Sequence, residues 1–271
     1  MSENPRRPLP DTLTLIAIAF MVYALSAVVH EGLGHGGACV LVGGAPVVMS
    51  SVHFDCNDTG VTPGGRRIIA AGGTIANFAV GFLLWGALRG VRQSRAHWRY
   101  ALWLGMTVNL FQAAGYFLFS GAGNIGDWAE VIRDLSPGWA WRGGLVVAGA
   151  GLYFAFILLS LHEMRSFVGG GEDRIRRARR LAVTPYLAGG TLSCVAGMLN
   201  PVGMVLVAIS AAAASFGGTS GLAWMSELLG RRIAPQTEPP VLLDRRWSWI
   251  VTGAILAALF VVVIGRGVRF G

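Results

Sequence analysis

Seven apolar runs, near residues 13–30, 68–88, 100–119, 143–161, 182–199, 201–217 and 248–265, leave this chain few ways to fold. About 20 such residues cross the hydrocarbon of a bilayer, and lipid offers no partner to an open amide, so the runs are expected to be helical. With 54% hydrophobic and only 13% charged residues, the chain has too little charge to wet the surface of a soluble domain. The expected class is an all-α polytopic membrane protein with about 6–7 transmembrane helices and a short strand-like or re-entrant segment after the first.

The net charge of +8 comes from 22 arginines, there being no lysine. Their placement argues against nucleic acid as a partner, because they gather in loops: Arg89, Arg92, Arg95 and Arg99 in one, Arg165, Arg174, Arg176, Arg177, Arg179 and Arg180 in another. This is the positive-inside pattern, and such segments favour anionic lipid headgroups. With Arg6 and Arg7 cytoplasmic, twelve arginines up to residue 180 lie inside and four (Arg66, Arg67, Arg133, Arg142) outside. The expected orientation therefore has the N-terminus in the cytoplasm and the end of the first run facing outward. A cleaved signal peptide ending near Ala24-Leu25-Ser26 is disfavoured, since it would strip the polar cluster that follows of its helix. The Ala- and Gly-rich, lysine-free composition fits a bacterial inner membrane.

That cluster, His30-Glu31-Gly32-Leu33-Gly34-His35, closes the first apolar run. Ionisable groups at membrane depth mark a pathway, a relay or a metal, and in H-E-x-x-H helices two His hold zinc while Glu serves as general base. Here the histidines are one residue further apart. In a regular helix positions i and i+5 are about 140° apart, so His30 and His35 need a local solution. A π-type turn would absorb the extra residue; loosening at Gly32 and Gly34 would do the same. A third possibility keeps the helix regular, pairs Glu31 with His35 and leaves His30 outside the site.

Between the first two runs, residues 44–66 carry β-branched and turn-forming residues that suggest a hairpin. His53, Asp55 and Asp58 within it are potential ligands, although a solvated loop is the favoured reading. The second run opens with small residues and Asn77, read locally as a close-packed seam with one interhelical hydrogen bond. Asp127 follows a glycine-rich stretch and could either cap a helix or complete a His-His-carboxylate site. Cys39 and Cys56 fall on the same expected side, where a disulfide is permitted, but small buried hydrophobes are the slightly favoured reading. The basic run after Gly169-Gly170-Gly171 and the proline-bearing residues 218–246 are expected to be polar connections; His97 is read as a loop residue and His162-Glu163 as an interfacial pair.

Three of these segments, in this order, resemble the site-2 protease class of intramembrane zinc metalloproteases: the His30–His35 motif, Gly73-Thr74-Ile75-Ala76-Asn77, and Asn124-Ile125-Gly126-Asp127. The chain departs from that family's pattern by the extra residue between the histidines and by Thr74 where the family has Pro. The resemblance implies zinc held by His30, His35 and Asp127, Glu31 as the catalytic base, and Asn77 positioning a transmembrane or membrane-adjacent protein substrate. It implies a metalloprotease-like core in residues 1–140, with 141–271 supplying further helices of the same membrane domain. Family members commonly open their sites toward the cytosol, whereas the arginine count puts this one outside. Two rivals stand beside this reading: a non-catalytic metal-binding scaffold of the same fold, and a small-solute or ion transporter using Glu31, His35, Asn109 and Gln112, with a helix broken at Asn200-Pro201.

Overall fold

The computed structural model describes residues 9–200, 207–232 and 240–270. Arg6, Arg7, Pro201, Pro235 and Pro239 lie outside the described residues.

Among the described residues, six helices are long and apolar enough to cross a membrane: α1 (Thr12–Leu41), α2 (Pro63–Gly90), α3 (Ala96–Gly123), α5 (Gly138–Val168), α6 (Arg174–Met198) and α9 (Trp247–Ile264). Between them lie the short α4 (Asp127–Ile132), the π-wound α7 (Val207–Gly217) and α8 (Gly221–Arg232). Their starts follow capping chemistry: the Asp11 carboxylate accepts from Thr14 N at 3.0 Å, and Thr62 Oγ1 accepts from Gly65 N at 3.1 Å ahead of Pro63.

Helix α3 is the hub. Its apolar window is 67% buried, against 11–50% for the other five. Tyr100, Trp103, Leu104, Met106 and Phe111 pack there with Leu15, Ile18 and Tyr23 of α1 and Ile157, Leu161 and Met164 of α5. The outward faces are apolar as well, with Ile75, Phe82 and Leu83 on α2 and Val251, Ile255 and Leu259 on α9 exposed. A belt of this kind would be an aggregation liability in water and is what lipid requires.

The bundle has two distinct ends. Asp11 binds Arg245, His97 sits 2.9 Å from the Asp244 carbonyl, and Arg180 contacts Thr12, so the starts of α1, α3, α6 and α9 share one end. That end also gathers Arg89, Arg92, Arg95, Arg99, Arg165 and the arginines from Arg174 to Arg180, whereas Arg142, bound to the Gly121 and Ala122 carbonyls, lies at the other. The basic run expected as a loop winds instead into the first turns of α6, where buried Arg177 satisfies the carbonyls of Val168 and Gly170. Those carbonyls end α5, and a guanidinium that reaches them completes the turn. His97 likewise lies inside α3 and is buried rather than looped.

At the opposite end, the hairpin expected within residues 44–66 forms over Ala45–Asn57. Strand β1 (Ala45–Met49) runs antiparallel to β2 (Phe54–Asn57), with an irregularity between Pro46 and Val48. A third strand, β3 (Val268–Arg269), pairs antiparallel with β1 on its other side. Helix α6 ends here, with Asn200 Nδ2 donating to Ser50 Oγ at 2.8 Å, whereas α9 starts at the basic end. The chain between them must therefore recross the bundle. Helices α7 and α8 pack on α6 and take that path in two pieces that meet at Gly217–Ser220. The apolar run expected at 201–217 begins outside the described residues; the polar connection expected over residues 218–246 is corrected at Gly221–Arg232, where Glu227 and Arg231 lower the hydropathy of a segment that is nevertheless helical.

Candidate metal centre

The residues Val29–Gly36 of α1 wind as a π-helix, so the backbone adopts the first of the three local solutions. The i→i+5 winding brings His30 and His35 onto one face, with ring centroids 4.9 Å apart and planes nearly perpendicular. The wider turn is accommodated because α2 crosses it through glycine. A Cβ on Gly34 would stand 2.5 Å from Gly73 Cα and 2.7 Å from the Gly72 carbonyl oxygen. A Cβ on Gly73 would meet His30 Cε1 at 2.5 Å and His35 Nε2 at 2.7 Å. The small-residue seam is thus also the back wall of the site.

Asp127 arrives from the far end of α3. Asn124 closes that helix in the left-handed conformation at φ 55°, and Gly126 turns the chain again at φ 81°. Asp127 then opens α4 without capping it, and its carboxylate points at the imidazoles. Its Oδ2 lies 3.1 Å from His30 Nε2 and 3.4 Å from His35 Nε2, and the two Nε2 atoms are 3.3 Å apart. All three candidate ligand atoms fall within 4.8 Å of one another. His35 Nδ1 is 2.7 Å from the Ile69 carbonyl, to which it donates, and this leaves the Nε2 lone pair facing the cluster. Tyr116 of α3 stacks on His30 at 4.6 Å with 17° between the planes. Burial pushes the Asp127 carboxyl up, but the His35 and His30 rings beside it outweigh that and hold it below its ordinary range. The group could hold a metal ion.

No protein-family model, curated protein or solved structure matches the chain.

The cluster opens on a cavity of about 890 Å³. Glu31, buried, lines it together with His35 and Asp127. One wall is the β2 hairpin, including His53, Asp55 and Asp58; Asp58 is engaged by Arg66 at 2.7 Å. These three belong to the cavity wall and not to the ligand cluster. The opposite wall comes from Ala213–Ser220 at the junction of α7 and α8, together with Tyr153 of α5.

Cys39 and Cys56 form a disulfide, which corrects the reading of both as separate buried hydrophobes. Cys39 follows the π segment by one turn and Cys56 lies in β2, so the bond ties the His-bearing helix to the cavity wall. The 17-residue separation carried no geometric signal in the sequence. Asn77 is fully buried and donates to Gln112 Oε1 at 3.4 Å; Gln112, rather than Asn77, lines the cavity. Glu163 accepts from Trp85 Nε1 at 2.9 Å at the basic end, remote from the cluster. Tyr116 and Gln112 were hidden inside an apolar run, where neither residue type carries a pattern of its own.

Proposed function

We propose that the chain is an integral membrane zinc metallopeptidase, a divergent relative of the site-2 protease class, which hydrolyses peptide bonds of transmembrane or membrane-adjacent proteins in or beside the bilayer. The observation that carries this reading is the separation of the three donor atoms. Ligands bound at about 2.0–2.1 Å to a tetrahedral zinc are about 3.3 Å apart, and the observed separations are 3.1, 3.3 and 3.4 Å. Two neutral imidazoles and a carboxylate are also a donor set that catalytic zinc uses, with a fourth position left open. Among the described residues, Oδ2 of Asp127 and Nδ1 of His30 are buried without a hydrogen-bond partner, a cost that binding at the cluster offsets for the carboxylate.

His30, His35 and Asp127 would hold the ion. When bound, zinc supplies a Lewis acid that polarises a scissile carbonyl and acidifies water. Glu31, next to His30 and facing the cavity, takes the proton from the attacking water and returns it to the leaving amine. The hairpin edge β2 offers unpaired main-chain groups along the cavity, to which an extended substrate segment can add as a strand.

Six helices of spanning length, an apolar outer belt and the segregated arginines support a polytopic membrane location. The basic end would face the cytoplasm and its anionic lipid headgroups. The Cys39–Cys56 bond lies at the other end, and disulfides persist in oxidising compartments. Together these support an N-terminus inside and a site opening outward.

The test is metal content by mass spectrometry of detergent-purified protein, followed by peptidase assay. About one zinc per chain is expected, with loss in His30→Ala, His35→Ala and Asp127→Ala. Glu31→Gln should keep the zinc and lose hydrolysis by about 10²–10⁴-fold; a variant that turned over normally would remove Glu31 from the mechanism.

A further inference from the structure

One helical turn below the cluster lies a second polar layer. Ser26 precedes His30 by four residues, Gln112 precedes Tyr116 by four, and Asn77 on the antiparallel α2 follows Gly73 by four. All three are buried. Ser26 Oγ donates to Gln112 Oε1 at 2.7 Å, and Asn77 Nδ2 donates to the same oxygen at 3.4 Å. Asn109, whose Oδ1 is 3.2 Å from Ser26 Oγ, spends its own amide on the Gly105 carbonyl at 2.8 Å. The Gln112 carboxamide is thereby fixed by its oxygen, while its Nε2 has no hydrogen-bond partner among the described residues. Gln112 is 8% exposed, and the cavity is what it lines.

A nearly buried amide with unused N–H groups is costly until something accepts from it. The neighbouring hydroxyl does not relieve it: Tyr153 Oη donates to the Gly218 carbonyl and accepts from Gly221 N, both at 2.8 Å. The floor beside Gln112 is bare backbone, since a Cβ on Gly115 would stand 2.9 Å from Gly218 Cα. The lining there offers the fixed amide of Gln112 as a donor, which suits a main-chain carbonyl.

We infer that Gln112 is the contact for the substrate backbone in this cavity, its Nε2 donating to a peptide carbonyl near the scissile bond. Ser26 and Asn77 are positioning residues that act through it. This rests on the metallopeptidase reading of the same site, and it moves the role expected of Asn77 to Gln112. It also selects the class of substrate. A carbonyl in an intact helix already holds its own amide, so Gln112 engages a segment that has unwound.

The experiment titrates two probes calorimetrically into the zinc-loaded full chain in detergent. Acetohydroxamate reads metal chelation alone; acetyl-Leu-Leu-hydroxamate adds two peptide carbonyls. Wild type should bind the peptidyl probe more tightly than acetohydroxamate. Gln112→Met should weaken the peptidyl probe roughly tenfold while leaving zinc stoichiometry and acetohydroxamate affinity unchanged. Asn77→Leu should lose a smaller part of the same increment. If Gln112→Met loses zinc or fails to fold, Gln112→Asn, which withdraws the amide by one methylene, gives the same reading. Equal affinity of wild type and the Gln112 variant for the peptidyl probe overturns the inference. Failure of acetohydroxamate to bind zinc-loaded wild type overturns the metallopeptidase reading beneath it.

Discussion

Two helices carry a π segment towards the same end of the bundle, Val29–Gly36 within α1 and Phe260–Ile264 at the close of α9, and they use it differently. In α1 the wider turn carries His30, Glu31 and His35 and is pressed against glycine from α2. In α9 it is wholly apolar. There Gly265 N closes the winding on the Phe260 carbonyl at 2.8 Å, and the Ile264 carbonyl accepts from Ser51 N at 3.1 Å, aiming the chain into β3. The same backbone device aligns two imidazoles in one helix and redirects the chain in the other. A π turn is therefore no signature of chemistry by itself; the side chains it aligns and the wall behind them decide.

Glycine substitutions break this comparison most sharply. Gly34→Ala drives a methyl into the backbone of α2 and should cost about 3 kcal/mol of stability together with zinc binding, read by thermal denaturation and metal analysis. Gly73→Ala places its methyl against both imidazoles and should lower zinc affinity by about 100-fold with a smaller drop in melting temperature. If Gly73→Ala bound zinc as tightly as wild type, the back wall would have no part in shaping the site. Gly265→Ala, whose Cβ would stand 2.7 Å from the Ala196 carbonyl oxygen, should destabilise the protein by about 1–2 kcal/mol and leave zinc affinity untouched. The smallest effect is expected from Tyr116→Leu, which removes the ring stacked on His30 and should weaken zinc by about fivefold, measured by chelator competition.

Much of the N-terminal half was legible because its signals are local. Apolar runs mark the spans, the turn formers of residues 44–66 mark a hairpin, and His30, His35 and Asp127 are residue types that are costly at membrane depth without a purpose. The choice among three windings for the His30–His35 segment was not legible, since it depends on Gly72 and Gly73 allowing α2 to approach. The disulfide was hidden for a similar reason: Cys39 and Cys56 meet only after the π segment and the hairpin are both in place. In the C-terminal half the run at 201–217 was visible, but Gly221–Arg232 carries Glu227, Arg231 and Arg232 and so escapes a hydropathy window, and a strand of two residues has no periodicity to detect. Gln112 illustrates the remaining kind of silence. Its meaning lies in which of its own atoms Ser26 and Asn77 occupy.

The pairing of Val268–Arg269 with Val48–Met49 sets a schedule for biogenesis. The ribosome delivers β1 with the second helix still to come, but the strand that flanks it emerges only after every spanning helix described above. Until then the hairpin beside the cavity lacks a neighbour on one side, and the Ser51 amide has no Ile264 carbonyl to meet. A chain halted before α9 would carry His30, Glu31, His35 and Asp127 in full, yet hold them beneath a hairpin that nothing has fastened on its outer side.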